Sequence, residues 1–410
     1  MGYNDTQQFF LGDLYDISSG LSKNKEQFGS GYPFLSFKTV FNYTIIPTDL
    51  KDLAQTTLSE QNKYSILYGD VFLTRTSETA NELGMSSVAL KDYPQATFNG
   101  FTKRLRPKKG VMEFIDPKFI AYYLRSKDFR NQIDSISVLT TRASLNQGMI
   151  EKLTITVPNI ETQKKIAAIL SALDEKIAIN RAINDNLYHL LSLSFKNDYW
   201  DKAIDHPEWI MTTLDETTSR FGTGLNPRKN FVLGHGNNYY VTIKNMGNNR
   251  IYLDERCDKI DDEAIRKIQM RSDLKVGDLL FSGIGTIGRV FLIDKPATNW
   301  NTSESVFNLR PNAKVSSEFL YLLLLNNDMQ DYAINLASGS VQKGIRMADL
   351  KKYSFFLPTL DVIKRLTSLW KPLIKQIKAN EVESDSLAVL RDTLLPKLMS
   401  GEIDVSAVQL

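Results

Sequence analysis

The sequence predicts an α+β fold. Two mostly-β domains are separated by two long helices that pair as an antiparallel coiled coil, and the whole is a pseudo-twofold internal repeat. Three observations predict it. Stretches of the N-terminal half recur in the same order in the C-terminal half; each half passes from short β-like runs into one long helical segment; and both helical segments carry apolar residues at three- and four-residue intervals.

The repeat runs as follows. "LGDLYDISSGLSKN" from Leu11 and "LDETTSRFGTGLNPRKN" from Leu214 share a helix-like opening, a glycine turn, then basic and polar residues. "ILYGDVFLTRTS" from Ile66 and "LKVGDLLFSGIG" from Leu274 share Gly-Asp before an apolar strand. "TKRLRPKK" from Thr102 matches "VFNLRPNAK" from Val306, and "DPKFIAYYLRSKDFRNQI" from Asp116 matches "SSEFLYLLLLNNDMQDYAI" from Ser316. "LTITVPNIETQKKIAAIL" from Leu153 matches "YSFFLPTLDVIKRLTSLW" from Tyr353, and in both a long helix follows the proline, Pro158 or Pro358. The expected division is 1–157 and 201–357 for the two domains, 158–200 and 358–410 for the helical spacers.

In the first helix Ile166, Ile169, Leu170, Leu173, Ile177, Ile183, Leu187, Leu190 and Leu191 form the stripe. In the second it is Leu366, Leu369, Trp370, Leu373, Ile374, Ile377, Leu387, Leu390 and Leu394. Such stripes on long polar helices favour a coiled-coil seam, and Asn180 and Asn380 interrupt them at matching places, as a register device does. About 34 residues at a rise of about 1.5 Å make a spacer of about 50 Å. The alternative is two independent amphipathic helices, each packed on its own domain.

Residues 279–293, "LLFSGIGTIGRVFLI", contain G-x-G-x-x-G at Gly283, Gly285 and Gly288. A dinucleotide site needs the third glycine to open a helix whose N-terminus meets the pyrophosphate. Here strand-like Val290, Phe291, Leu292 and Ile293 follow, then a turn at Asp294, Lys295 and Pro296, so the stretch reads as strand, glycine turn, strand. The corresponding segment of the first half, "TRTSETANELGMSSVAL", keeps that shape but not the glycine pattern. The glycines are therefore expected to permit a tight turn and close backbone approach to something large.

At 410 residues the chain is too long for one ordinary core. Its net charge of only +3 excludes a blanket polycation, so any nucleic-acid affinity must come from local patches. Cys257 is the one cysteine, which excludes an intrachain disulfide. His189, His206 and His235 are scattered away from any zinc-ligand spacing, so no metal and no cofactor are expected. The N-terminal stretch lacks a signal-peptide pattern and no apolar run reaches membrane-spanning length, which leads us to expect a soluble, cytoplasmic protein that makes no membrane contact.

The two-copy order, with "ETQKKIAAILSALDEKI" from Glu161 and "LAVLRDTLLPKLMSGEIDV" from Leu387, resembles the specificity subunit of type I restriction-modification systems over nearly the whole chain. The block Leu394, Leu395, Pro396, Lys397, Leu398, Ser400, Gly401, Glu402 and Ile403 carries it most specifically, and "SVQKGIRMADLKKYSFFLP" from Ser340 matches the end of a target recognition domain. The first copy, "TTRASLNQGMIEKLTITVP", departs from that pattern by lacking the Gln-Lys-Gly. The resemblance implies two target recognition domains, each reading half of a bipartite, asymmetric sequence in double-stranded DNA. It implies helices that dock two methyltransferase subunits, restriction subunits that join them, and no catalysis by this chain alone. The residues agree: no Pro-Pro pair of an adenine methyltransferase motif occurs, and "DEK" at Asp174 lies on a helix without a partner carboxylate.

Phosphate contacts need Lys, Arg or polar donors, and base discrimination needs Arg, Lys, Asn, Gln, Ser or Thr at a groove edge. Loops dense in these types recur at matching points. In the first copy they hold Lys23, Asn24 and Lys25; Arg75, Thr76, Ser77 and Asn81; and Arg142, Ser144, Asn146 and Gln147. In the second they hold Asn226, Arg228 and Lys229; Lys244 and Asn245; and Ser340, Gln342, Lys343 and Arg346. Lys343 and Arg142 are assigned to phosphate or base-edge contact. The two sets differ, so unlike half-sites and a non-palindromic target are expected. The competing readings are a stand-alone DNA modification or cleavage enzyme, a coiled-coil scaffold for protein partners, and the specificity subunit of a fused type II system.

Overall fold

The computed structural model describes residues 6–76, 82–137, 144–203, 205–247, 249–339 and 343–408. It divides into two compact units: unit 1 is Met1–Ile179 with Val382–Leu410, and unit 2 is Asn180–Glu381. The long helices Ile160–Asp198 and Leu360–Ser400 therefore each give one half to each unit.

Unit 1 is built on an antiparallel four-stranded sheet in which Tyr15–Ser19 pairs with Thr102–Pro107, that strand with Val71–Thr74, and the last with Ser86–Val88. Unit 2 repeats the order with Thr218–Thr223, Val306–Pro311, Leu279–Ser282 and Val290–Leu292. The registers coincide. Leu73 faces Lys103 as Phe281 faces Phe307, and Ser19 faces Lys103 as Thr223 faces Phe307. Each unit also has a three-stranded sheet with one antiparallel and one parallel neighbour, order Leu53–Ala54, Phe28–Leu35, Thr97–Phe98 in unit 1 and Asp258–Ile260, Asn238–Val241, Trp300–Thr302 in unit 2.

The repeated Gly-Asp and Leu-Arg-Pro words meet as one ion pair in each unit. Arg106 grips Asp70 through Nε (2.8 Å) and Nη2 (2.6 Å), and Arg310 grips Asp278 through Nε (2.7 Å) and Nη2 (2.9 Å). Both aspartates are fully buried. A fork of two parallel N–H donors matches a carboxylate and fixes its geometry, so the pair ties the second and third strands of each sheet together.

In unit 1 the helix halves run antiparallel: Lys165 donates to the Ser406 carbonyl (2.6 Å), Asp174 meets Arg391 (2.6 Å) and Lys176 meets Glu383 (3.2 Å). In unit 2, Trp370 Nε1 donates to Ser194 Oγ (2.9 Å) and Asn380 Nδ2 to Asn184 Oδ1 (2.8 Å), again antiparallel. Each domain packs on halves of both helices, not on its own helix alone. Ile166, Ala167, Leu170 and Leu398 join the unit 1 core with Phe119 and Ile120; Leu191, Phe195, Leu366 and Trp370 join the unit 2 core with Phe319 and Leu320.

Two expectations are refined. The buried register pair is Asn184 with Asn380, while Asn180 is buried close by. Not every stripe residue lies in a seam, since Ile183, Leu190, Leu369 and Leu390 are exposed. The motif residue Gln163 gains a clear role: fully buried, it accepts from the Asp116 N–H (2.9 Å) and donates to the carbonyls of Phe114 (2.9 Å) and Pro158 (2.8 Å), clamping the helix start to its domain.

Candidate nucleic-acid interface

The glycine turn is a hairpin, as its sequence predicts: Leu279–Ser282 pairs with Val290–Leu292, and no helix follows Gly288. The large object the glycines admit is the chain itself. A Cβ on Gly283 would sit 2.3 Å from the Phe307 ring, and one on Gly288 (φ +92°) 2.0 Å from Gln330 Oε1. The carbonyl of Gly283 accepts from Ile345 N (2.9 Å), Gly285 N donates to the Lys343 carbonyl (2.7 Å), and Ile284 bridges Gly344. The turn is thus a rail on which residues 343–345 lie as a short antiparallel strand, with Lys343 exposed at its end. Arg289, at the far end of the same turn, donates to the carbonyls of Ile243 (2.8 Å) and Met246, which draws the segment bearing Lys244 alongside.

Unit 1 builds the same rail with Arg75 and Thr76 in place of Gly283 and Ile284, and keeps a glycine, Gly84 (φ +66°), at the position of Gly288. Leu145 N donates to the Arg75 carbonyl (2.8 Å) and Thr76 bridges Ser144. Arg75 N donates in turn to the Phe101 carbonyl (3.0 Å), as Gly283 N does to Ser305 (2.9 Å). Backbone position by backbone position, Arg75 corresponds to Gly283, Phe101 to Ser305, Lys103 to Phe307 and Ser144 to Gly344.

The predicted residues separate on this frame. Arg75 and Ser144 are brought together on the unit 1 rail, while in unit 2 Lys343 lies on the rail and Lys244 on the segment that Arg289 holds. Arg346 is exposed and opens the helix Met347–Leu350. Asn24 and Lys25 are exposed at the short 3-10 helix Lys25–Gln27, Arg228 and Lys229 are exposed, and Asn226 is half-buried under the side chain of Asn230. Asn146 caps the helix Gln147–Glu151 by accepting from Met149 N (2.9 Å), and Gln147 donates to Glu151 (2.8 Å). Ser77, Asn81, Arg142, Ser340 and Gln342 lie outside the described residues.

Two of the predicted contacts are corrected by their partners. Asn245 is 2 % exposed: its Oδ1 accepts from Thr242 N (2.9 Å) and its Nδ2 donates to the Arg256 carbonyl (3.0 Å), so it closes a turn and has nothing left for a base. Lys23 is spent on Glu60 (2.7 Å), which holds that carboxyl below its ordinary range, chiefly through the hydrogen bond from Lys23.

Sequence reasoning missed Lys103 and Phe101. Lys103 is nearly buried with its Nζ on Ser19 Oγ (2.7 Å), and both burial and the charge of Arg75 push its ammonium pKa down. Phe101 is 59 % exposed at the tip of the turn. Their spacing of two puts Phe101 and Lys103 on one face of the chain, but the sequence alone does not show that this face meets Arg75. Also missed were the cation-aromatic stacks of unit 2, Arg250 and Arg256 on Tyr252 (4.9 and 4.1 Å) and Lys259 on Tyr239 (3.2 Å). Cys257 is buried against the Tyr252 carbonyl and burial pushes its thiol up, away from nucleophile chemistry. Among the described residues no group of His, Cys, Asp or Glu is placed to hold a metal ion, and no helix is long and apolar enough to cross a membrane.

A repeated β frame that presents basic and polar loops beside paired helix halves is an arrangement suited to reading DNA. The family comparison bears on the class of protein that carries it. Residues 3–189 and 220–385 match the type I restriction modification DNA specificity domain, and the chain belongs to that family. It is similar to the specificity subunit of the type I restriction enzyme MjaIX of Methanocaldococcus jannaschii, 23 % identical over 96 % of this chain and 92 % of that one. It is similar as well to that of HindI of Haemophilus influenzae, 22 % identical over 98 % and 100 %. The crystal structure of the type I restriction-modification S subunit from M. genitalium shares the fold at TM-score 0.58 and 18 % identity, covering 96 % of each chain.

Proposed function

We propose that this chain is the DNA-reading subunit of a type I restriction-modification complex, in which each unit reads one half of a bipartite, asymmetric target in double-stranded DNA. The observation that carries the proposal is the pair of rails. One backbone frame is kept in both units while the side chains it presents differ at position after position, as expected of two readers with unlike half-sites.

In this reading 1–157 and 201–357 are the target recognition domains, and 158–200 and 358–410 the helical spacers. The contacts come from Lys25, Asn24, Arg75, Ser144, Asn146 and Gln147 in the first copy and Asn226, Arg228, Lys229, Lys244, Lys343 and Arg346 in the second. Two methyltransferase subunits dock on the helices, where Ile183, Leu190 and Leu193 in unit 2 and Val389 and Leu390 in unit 1 are exposed apolar side chains on otherwise polar helices. Restriction subunits join the assembly in the cytoplasm, and the chemistry belongs to the partners.

A salt-dependent gel shift tests it: affinity for a duplex carrying the target should fall steeply with salt while discrimination against competitor DNA persists. Methylation or cleavage of DNA by the purified chain alone, with methyl donor and magnesium, would overturn it.

A further inference from the structure

At one corner of the frame the two units have exchanged chemistry. Unit 2 places Gly283 under the buried ring of Phe307, an apolar and uncharged corner. Unit 1 places Arg75 and Lys103 in the same two positions and an exposed phenyl, Phe101, where unit 2 has Ser305. Two cations side by side repel, and burial makes the repulsion worse unless an anion compensates. No carboxylate among the described residues pairs with either. The Arg75 Nε–H is buried without a hydrogen-bond partner among the described residues, and the Lys103 ammonium donates only to Ser19, leaving two of its three protons unused.

Phe101 is held rigidly beside them. Asn99 Oδ1 accepts from the Phe101 N–H (2.7 Å), Thr102 donates through N (3.0 Å) and Oγ1 (2.7 Å) to the Asn99 carbonyl, and Gly100 N donates to Leu21 (2.8 Å). These bonds fix the backbone of Phe101 while its ring stays largely in water, free to meet an external apolar surface.

We propose that Arg75, Lys103 and Phe101 form a DNA contact that unit 1 has and unit 2 lacks: the two cations bracket a backbone phosphate and Phe101 stacks on the adjoining base. The proposal rests on the DNA-reading function. The unit 1 half-site is then gripped with two more phosphate-directed charges at this corner, and the step under Phe101 is selected for ease of unstacking as well as for base edges.

The test uses the full chain and a duplex carrying its recognition sequence, identified by mapping methylated adenines in the source genome. Single phosphates are replaced one at a time by neutral methylphosphonates. With the wild-type chain one position in one half-site should weaken binding, and with Lys103→Met or Arg75→Met that same position should become silent. The slope of log affinity against log salt should drop by about 0.9 for each cation removed. Phe101→Ser, which carries the unit 2 residue at an exposed site, should weaken binding by about tenfold through lost stacking. Lys103→Met should melt no lower than wild type, because a repulsion is removed; a purely structural lysine would lower it. If wild type discriminates its target but all three variants keep its affinity, salt slope and phosphate map, this contact does not exist. If wild type fails to discriminate target from competitor DNA, the DNA-reading function falls and this contact with it.

Discussion

Gly283→Ala tests the interlock between the glycine turn and the frame. The new Cβ would lie 2.3, 2.5 and 2.8 Å from three atoms of the Phe307 ring, against the roughly 3.5–4.0 Å of a relaxed carbon contact. Phe307 cannot retreat through its backbone, since its strand is paired on both sides, to Phe281 and to Thr223. Nor can the ring swing into open space, because it is 4 % exposed in the unit 2 core. Overpacking of this kind costs about 1–3 kcal/mol, and a locked ring puts the cost near the upper end, about 3 kcal/mol. Because the Gly283 carbonyl also anchors Ile345 N, displacement of the turn shifts Lys343 and weakens DNA binding as well. All four tryptophans (Trp200, Trp209, Trp300 and Trp370) lie in unit 2, so intrinsic fluorescence in urea reads this unit alone. The midpoint should fall by about 1–2 M, and Phe307→Leu in the same chain should restore most of it. An unmoved midpoint, or a double variant no better than the single one, refutes the argument.

Asp278→Ala strips Arg310 of its buried partner while Asp273 still holds the guanidinium, and should cost unit 2 about 1.5–3 kcal/mol, whereas Asp278→Leu with Arg310→Met should recover most of it; additive losses in the double variant would contradict a coupled pair. Asp273, hydrogen-bonded by Arg310 and close to Lys275, has a carboxyl pKa held below its ordinary range. A depressed folded pKa contributes stability above the unfolded value, near ~3.9, and loses it as pH falls through the folded one, so the fluorescence midpoint should drop below about pH 4 and Asp273→Asn should flatten that drop. Inserting seven residues in each long helix, at the junctions after Ile179 and before Val382, preserves the heptad phase and adds about 10 Å. Methylation mapping should then show a gap between half-sites longer by about three base pairs, at about 3.4 Å each, and an unchanged gap counts against the helices as spacers.

What could be read from the sequence followed from local pattern. The repeat, the two helices, the strand-turn-strand reading of residues 279–293 and the family resemblance each rest on periodicity or on words contiguous in the chain. What could not be read depended on partners distant in sequence. Lys23 looks like a free cation until Glu60, 37 residues on, neutralises it. Asn245 looks like a base reader until Thr242 and the Arg256 carbonyl consume it. Asn380 showed that the seam has a polar interruption, but its partner Asn184 is set by antiparallel pairing across 196 residues. Composition marks a residue as able to bind DNA; only its neighbours decide whether it is available.

The division into units explains why the repeat words are distributed as they are. Unit 1 closes its core only when Leu398, from the far end of the chain, meets Ile166 and Leu170, and unit 2 takes Trp370 and Leu191 from different helices. Each domain buries its apolar surface against parts of both helices, not of the following one alone, so both helical words are bound to the core. The loops on the frame carry no such burden. Arg75 and Gly283 fill the same backbone position and support the same bridge, because the bridge uses main-chain groups that every residue supplies. Side chains there are free to diverge without loss of fold, and that freedom is what the proposed reading of two unlike half-sites by one duplicated scaffold requires.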